Sequence, residues 1–512
     1  MSVADNTPVL IGVGEASERI DAPDYAALSP VALAAKAAAA ALTDAGAPDL
    51  AQHIDLIASI RQFEVSGPGA KAPFGCSNNF SRSVASRIGA DPAHAIIEVV
   101  GGQGPQHLVN EMAHAIAAGE VSMALLTGSE AISTVRHLTA KGETRDWAET
   151  VEGSLEDRGY GMDGLLSRDV AAHGGRTAIS LYALLENARR GRLGLGREAY
   201  ARTMADLFAP FTRVAAGNPH AMSREVYTAE DLATVTQSNR LTSDPFPRRM
   251  VARDQANQGA AVLLTSLGRA RALGVGEDRF VYLHGGADAK ERTLIERSDY
   301  SRGPAAIMAN QSALAAAGIA MADVNKIDFY SCFPIAVFNL CDGLGIAPND
   351  PRGLTMTGGL PYFGGAGNNY SMHAIASMIR ALRASPGQMG LVSANGGFIS
   401  KTSVGVYSTR PAAWRGFDSS ALQAQINAWP APPMDPNFEG DADIDTYTID
   451  YAGSAPVGVI LARNAAGNRI VAAATDAAVV ESLIRHDPMG GRVTLAKGDD
   501  GRTLVTGFTA SL

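Results

Sequence analysis

At 512 residues the chain exceeds the roughly 250–300 residues at which one hydrophobic core stops growing, so two or three domains are expected. Its 46% hydrophobic and 19% charged residues are those of an ordinary globular protein and exclude disorder. A net charge of −9, with basic residues scattered singly or in pairs, leaves no electrostatic footprint for nucleic acid.

The first eight residues (MSVADNTP) are acidic and polar, unlike a signal or transit peptide. Residues 9–14 (VLIGVG) read as a buried strand running into a turn, and the Ala-rich stretch behind Ser29 and Pro30 as a helix stopped at Gly46. That stretch is interrupted by Lys36 and falls short of the roughly 20 apolar residues of a membrane span. Strands follow at 54–58, 95–100 and 121–126, with a glycine-rich turn at 101–105 and a helix to Ala118 between the last two. This alternation predicts a mainly parallel sheet covered by helices.

The same order recurs after residue 275. Residues 280–284 repeat the opening strand, 303–318 the capped Ala-rich helix, 327–330 the second strand, Gly358 and Gly359 the glycine pair, and 372–382 with 389–392 the later helix and strand. A fifth strand closes each half, at 259–264 and 404–407. The halves are therefore 1–128, completed by 250–270, and 271–412, with an insertion at 129–249 too long for a plain connection. Four prolines between 430 and 436 mark a linker. Beyond it, at 437–512, five short β-patterned runs and one helix predict a small antiparallel barrel, OB-like in character, folding independently of the rest.

Three cysteines (Cys76, Cys332, Cys341) without CxxC spacing exclude a disulfide framework and a structural zinc site, and point to a reducing, cytoplasmic setting. No metal or resident cofactor is expected. With a duplicated five-stranded α/β half and a long insertion after the fourth strand, the chain resembles the thiolase superfamily over residues 1 to about 410. The segments that carry the likeness are 100–104 (VGGQG), 254–261 (DQANQGAA), 330–333 (YSCF) and 358–365 (GGLPYFGG). The resemblance implies an αβαβα layered fold and a coenzyme A thioester as substrate.

It also exposes what is missing. Thiolases place a nucleophilic cysteine at the N-terminus of the helix after the third strand, where the helix dipole favours a thiolate. Here that position is Gly102. The histidine that activates it corresponds to Gly365, and the family's second cysteine motif to residues 394–396 (ANG). An acyl-enzyme by the ordinary route is excluded. In sterol-carrier-protein-type thiolases the segment at 330–333 reads His-Asp-Cys-Phe, so Cys332 matches an acid/base cysteine while Tyr330 replaces the histidine. A tyrosine there resembles thiolase-like retro-aldolases of steroid side-chain breakdown, which work with a separate OB-fold partner; Ser331 departs from the acidic residue usual beside it. This chain carries a β-rich tail of its own, which lessens the need for that partner, and a homo-oligomer is compatible with the family.

Each candidate also has a plainer reading. Cys332 is either an acid/base thiol or a core thiol, and Tyr330 either a site residue or packing. Residues 364–370, with Asn368 and Asn369, form either a tight turn or a donor-rich ligand contact. Arg248 and Arg249 either hold a coenzyme A phosphate or form a solvated turn. His373, Cys76 and Cys341 read as structural. The functions expected are C–C cleavage of a β-hydroxyacyl-CoA, with enolate charge held by backbone amides at Gly102 and Gly365 and by an Asn; non-catalytic acyl-CoA binding; or acyl transfer through an unusual nucleophile.

Overall fold

A computed structural model describes residues 3–162 and 165–510. In chain order, β1 (Pro8–Ser17), β2 (Leu56–Ile60), β3 (His94–Glu98), β4 (Met123–Ala131) and β5 (Glu156–Asp157) come first. The insertion adds the short β6 (Leu241–Ser243) and β7 (Phe246–Pro247), and β8 (Asn257–Ser266) completes the first half. The second half supplies β9 (Val281–Lys290), β10 (Lys326–Phe329), β11 (Met389–Gly396) and β12 (Lys401–Ser408). Ten of these strands form one sheet in the order β10-β11-β12-β9-β1-β8-β4-β2-β3-β5. Among the described residues its halves pair only through Val9↔Tyr282 and Leu10↔Val281, so they diverge from that seam and enclose a middle layer.

That layer is helices Gly104–Ala118 and Tyr370–Arg383. Leu108, Val109, Met112 and Ile116 of one pack with Met372, Ile375, Met378 and Ile379 of the other between both half-sheets. Full burial of each such side chain is worth about 1.5–3 kcal/mol. The outer helices, Pro30–Ala45 and Pro304–Ala317, lie directly on strand glycines. A Cβ on Gly14 would enter the backbone of Ala37 and Ala41, and one on Gly285 that of Ala313 and Ala317. The duplicated layers αβαβα follow, as the thiolase-like reading expects. In the second half no described strand lies outside β10; there the Leu354 carbonyl accepts from Phe329 N at 3.0 Å.

The open edge of β3 is covered by the chain itself. β5 pairs with it through Ile96↔Glu156 and Ile97↔Asp157, and Arg158 spans Glu98 (2.8 Å) and Glu111 (2.7 Å). A covered, charged edge does not offer its backbone to another strand.

The tail closes into a five-stranded barrel: β13 (Gly440–Asp450), β14 (Val457–Arg463), β15 (Arg469–Ala474), β16 (Arg492–Lys497) and β17 (Thr503–Thr509). Closure uses one parallel pair, Ala473↔Leu504. The proline linker does not isolate it. Strand β6 extends the barrel through Asp450↔Ser243, and Val459, Leu461 and Val471 enter the core of the second half and insertion. Arg190, 1% exposed, makes two bonds to Asp487 (2.5 and 2.7 Å), and Asn187 and Thr446 tie β13 to helix Ala178–Arg192. Among the described residues no helix is long and apolar enough to cross a membrane.

Candidate functional site

Helix Gly104–Ala118 begins in a glycine pair, and Gly101 sits at φ 147°, a conformation open to glycine. Its neighbour Gly102 faces the end of β10. A Cβ built on Gly102 would lie 2.6 Å from Tyr330 Cζ, closer still to the Tyr330 hydroxyl, and 2.7 Å from the Asn395 carbonyl oxygen. The phenol of Tyr330 therefore occupies the space a side chain at position 102 would need. Tyr330 packs edge-on against Tyr370 (5.2 Å), and its hydroxyl makes no hydrogen bond among the described residues. Burial, with Cys332 beside it, pushes the phenol well above the ordinary tyrosine range.

Cys332 lies next to Asn395 and Tyr182. Asn395 Nδ2 donates to Tyr182 Oη (3.0 Å) and approaches Cys332 Sγ (3.7 Å), while Tyr182 stacks on Phe333 (4.3 Å). Burial raises the Cys332 thiol to about 12, so it is protonated at neutral pH. Asn395 Oδ1 and Gln103 Oε1 are buried without partners. The groups around Gly102 and Cys332 named here are thus neutral and polar: two phenols, a thiol and two amides.

The loop at 364–370 brackets the backbone rather than lining a void. Gly365 N donates to the Arg253 carbonyl (2.7 Å), so its amide is not free for an oxyanion. Asn368 Oδ1 accepts from Gly101 N (3.0 Å) and its Nδ2 donates to the Arg61 carbonyl (2.7 Å); Asn369 Nδ2 donates to the Gly128 carbonyl (2.7 Å). Both asparagines hold the loop to the glycine pair and to β4, because a buried backbone group must find a partner, while Asn369 Oδ1 is buried without one. Beside them Glu130, 2% exposed, accepts from Phe63 N (2.9 Å) and abuts Gly367. Burial, with Glu64 and Asp254 nearby, outweighs that bond and raises its carboxyl to about 8.

His373 lies in the buried helix and bonds Glu15 at 2.7 Å, with Arg380 on the other carboxylate oxygen. Burial opposes ionisation of Glu15, but His373 and Arg380 prevail and hold it at about 2. Cys341 is buried and Cys76 exposed, both away from Gly102's neighbours.

Arg248 and Arg249 line a cavity of about 320 Å³ with Arg253 and Tyr362. Arg253 also borders an adjoining cavity of about 730 Å³. Arg249 lies over the Tyr227 ring (4.5 Å) and reaches the Asp231 carbonyl (3.3 Å); none of Arg248, Arg249 and Arg253 pairs with a carboxylate among the described residues. Sequence reasoning brought Tyr330, Cys332 and Gly102 together at the centre, and Arg248 and Arg249 to the groove. It missed Arg253, Glu130, Tyr182 and Asn395, while Gln103 stood in the 100–104 segment. Asn395 stood in the quoted 394–396 segment, whereas Tyr182 sits in an insertion helix without a motif.

Residues 421–501 match the family model described as the thiolase-like protein type 1 additional C-terminal domain. None of the curated proteins matches the chain. Among solved structures, a monomeric SCP2-thiolase like protein type 1 from Mycobacterium smegmatis is 43% identical over 100% of both chains, with a TM-score of 0.85. The Ltp2–ChsH2(DUF35) aldolase shares 20% identity over 79% of this chain and 98% of its own (TM-score 0.58). The dimeric peroxisomal thiolase of Saccharomyces cerevisiae shares 15% over 80% and 99% (TM-score 0.56). These last two establish the fold alone. A match over its whole length, β barrel included, places the chain in the SCP2-thiolase-like protein type 1 family.

Proposed function

We propose that this protein binds coenzyme A thioesters in the arginine-lined groove and holds them without forming an acyl-enzyme. One observation carries the reading: the Tyr330 phenol fills the space a nucleophile at position 102 would occupy. The groove supports it, because Arg248, Arg249 and Arg253 form no ion pair among the described residues and outnumber the one carboxylate in the same wall, Asp254, the chemistry that recognises phosphate. The barrel, carried in the same chain and docked on the insertion, replaces a separate OB-fold partner. The buried free thiols Cys332 and Cys341 suit a reducing, cytoplasmic setting.

A second reading, retro-aldol cleavage of a β-hydroxyacyl-CoA, draws on the unpartnered Tyr330 hydroxyl, a neutral donor at a helix N-terminus where enolate charge is stabilised. Neither Tyr330 nor Cys332 supplies its base, since both are protonated at pH 7. Calorimetry with coenzyme A, and mass spectrometry of an acyl-CoA panel after incubation, separate the two. Binding with every thioester recovered intact is the expected result. A cleaved aldehyde or ketone, lowered roughly 10²-fold by Tyr330→Phe, would replace it with the second reading. No binding of coenzyme A or any acyl-CoA would overturn both.

A further inference from the structure

A cavity of about 690 Å³ lies apart from the centre and groove, where the end of helix Ala178–Arg192, residues 298–301 and the barrel meet. Its size is that of a small-ligand site at a domain junction. The wall carries surplus positive charge. Arg190 is matched by Asp487, Arg463 by Asp445, and Asp299 by Arg302. Arg192 shares one carboxylate, Asp342, with Arg189. Arg469, 2% exposed, gives its Nη atoms to the carbonyls of Ile295 (2.9 Å), Arg297 and Ser298 (3.1 Å), lies over the Tyr300 ring (4.2 Å), and shares Asp445 with Arg463, its Nε 3.9 Å from that carboxylate and without a hydrogen bond.

The same wall ends in Gly196, the N-cap of the 21-residue helix Arg197–Gly217, whose first turn has no side-chain cap. Such a terminus offers amide donors and the positive end of the helix dipole. Leu195, Ile444 and Met489 add apolar surface. We propose that this junction cavity binds a small phosphorylated organic molecule, its phosphate at the Gly196 helix terminus near Arg192 and Arg469 and its body on Leu195 and Met489. The proposal stands independently of the groove. A free nucleotide and the phosphorylated adenosine of coenzyme A present the same chemistry.

The test uses the full chain with AMP, coenzyme A and inorganic phosphate, read by calorimetry. Gly196→Asp suits it: the backbone there is extended (φ −67°, ψ 164°), a Cβ would meet nothing within 4 Å, and Asp caps helices better than Gly. Its carboxylate takes the amides and repels phosphate. The expected result is saturable AMP binding, weakened about tenfold or more by Gly196→Asp and about threefold by Arg192→Ala, with the ligand-free Tm of Gly196→Asp unchanged or raised. Coenzyme A binding that falls with Gly196→Asp but not with Arg249→Ala assigns its adenosine end to the junction. Absence of saturable binding by AMP and phosphate, with any coenzyme A binding sensitive only to Arg249→Ala, overturns the site. So does AMP affinity unchanged in Gly196→Asp.

Discussion

The centre at Gly102 and the groove at Arg253 are neighbours, joined by the hydrogen bond from Ala252 N to the Cys332 carbonyl (2.9 Å). The centre is closed by aromatic packing and held neutral by burial; the groove is open and cationic. The difference is physical. A buried nucleophile and base demand space and tuned charge, whereas exposed arginines cost the fold little and persist without chemistry. The closed centre and the open groove therefore meet at a boundary one peptide wide.

The largest expected effect tests the closed side. Acetoacetyl-CoA thiolysis is expected at background, with no acyl adduct on Cys332 or Cys76; turnover near the enzymatic median of about 10 s⁻¹ would break the comparison. The neutrality of this region has its own signature in Glu130. Its carboxyl is raised from 4.5 to about 8, so between those values the native state keeps a proton that the unfolded chain releases. Stability therefore falls as pH rises through that window, by on the order of 4 kcal/mol for this one group. Urea unfolding at pH 5 and pH 8 is expected to show the fall, and Glu130→Gln to flatten it; an unchanged slope in the variant would place the group in water. Glu15, lowered to about 2, acts oppositely: its contribution is present above its unfolded value and lost as pH falls towards 2.

Next in size, Gly102→Ala forces a methyl into Tyr330 and is expected to cost about 1–3 kcal/mol. Combined with Tyr330→Ala it should cost less than the sum, because the cavity accepts the methyl. Additive losses by denaturant titration would mean that the two residues do not compete for one space. On the open side, Arg248→Ala or Arg249→Ala is expected to lower coenzyme A affinity about tenfold with Tm unchanged, measured by calorimetry and thermal melts. A drop in Tm without a drop in affinity would make these arginines structural. The smallest effect is at the linker: proteolysis between residues 429 and 440 is expected to leave the barrel bound, eluting with the core on gel filtration. Release of the tail would deny the Arg190–Asp487 clamp its role.

Much of the scaffold was legible in the residues. Ser29, Pro30 and Gly46 bound the first helix as capping rules require, and Gly303, Pro304 and Gly318 bound its repeat. Gly102 and Gly365, read as standing where the family keeps catalytic groups, lie one against Tyr330 and the other tied to the Arg253 carbonyl. That the amides of Asn368, Asn369 and Gly365 are bound to backbone carbonyls instead of being free for an oxyanion was not legible, because which backbone group a buried amide satisfies depends on loops distant in sequence, here Arg61, Gly128 and Arg253.

Sequence by itself determined the duplication, the layered α/β class and the absence of a cysteine at position 102, since periodicity, caps and residue identity are local. Only the tertiary structure decided what fills the space at Gly102, that the barrel docks on the insertion despite a proline linker, and that Glu130 keeps its proton. Those outcomes come from groups more than 50 residues apart meeting in a low-dielectric interior, where packing volume and desolvation are set by neighbours the sequence does not list.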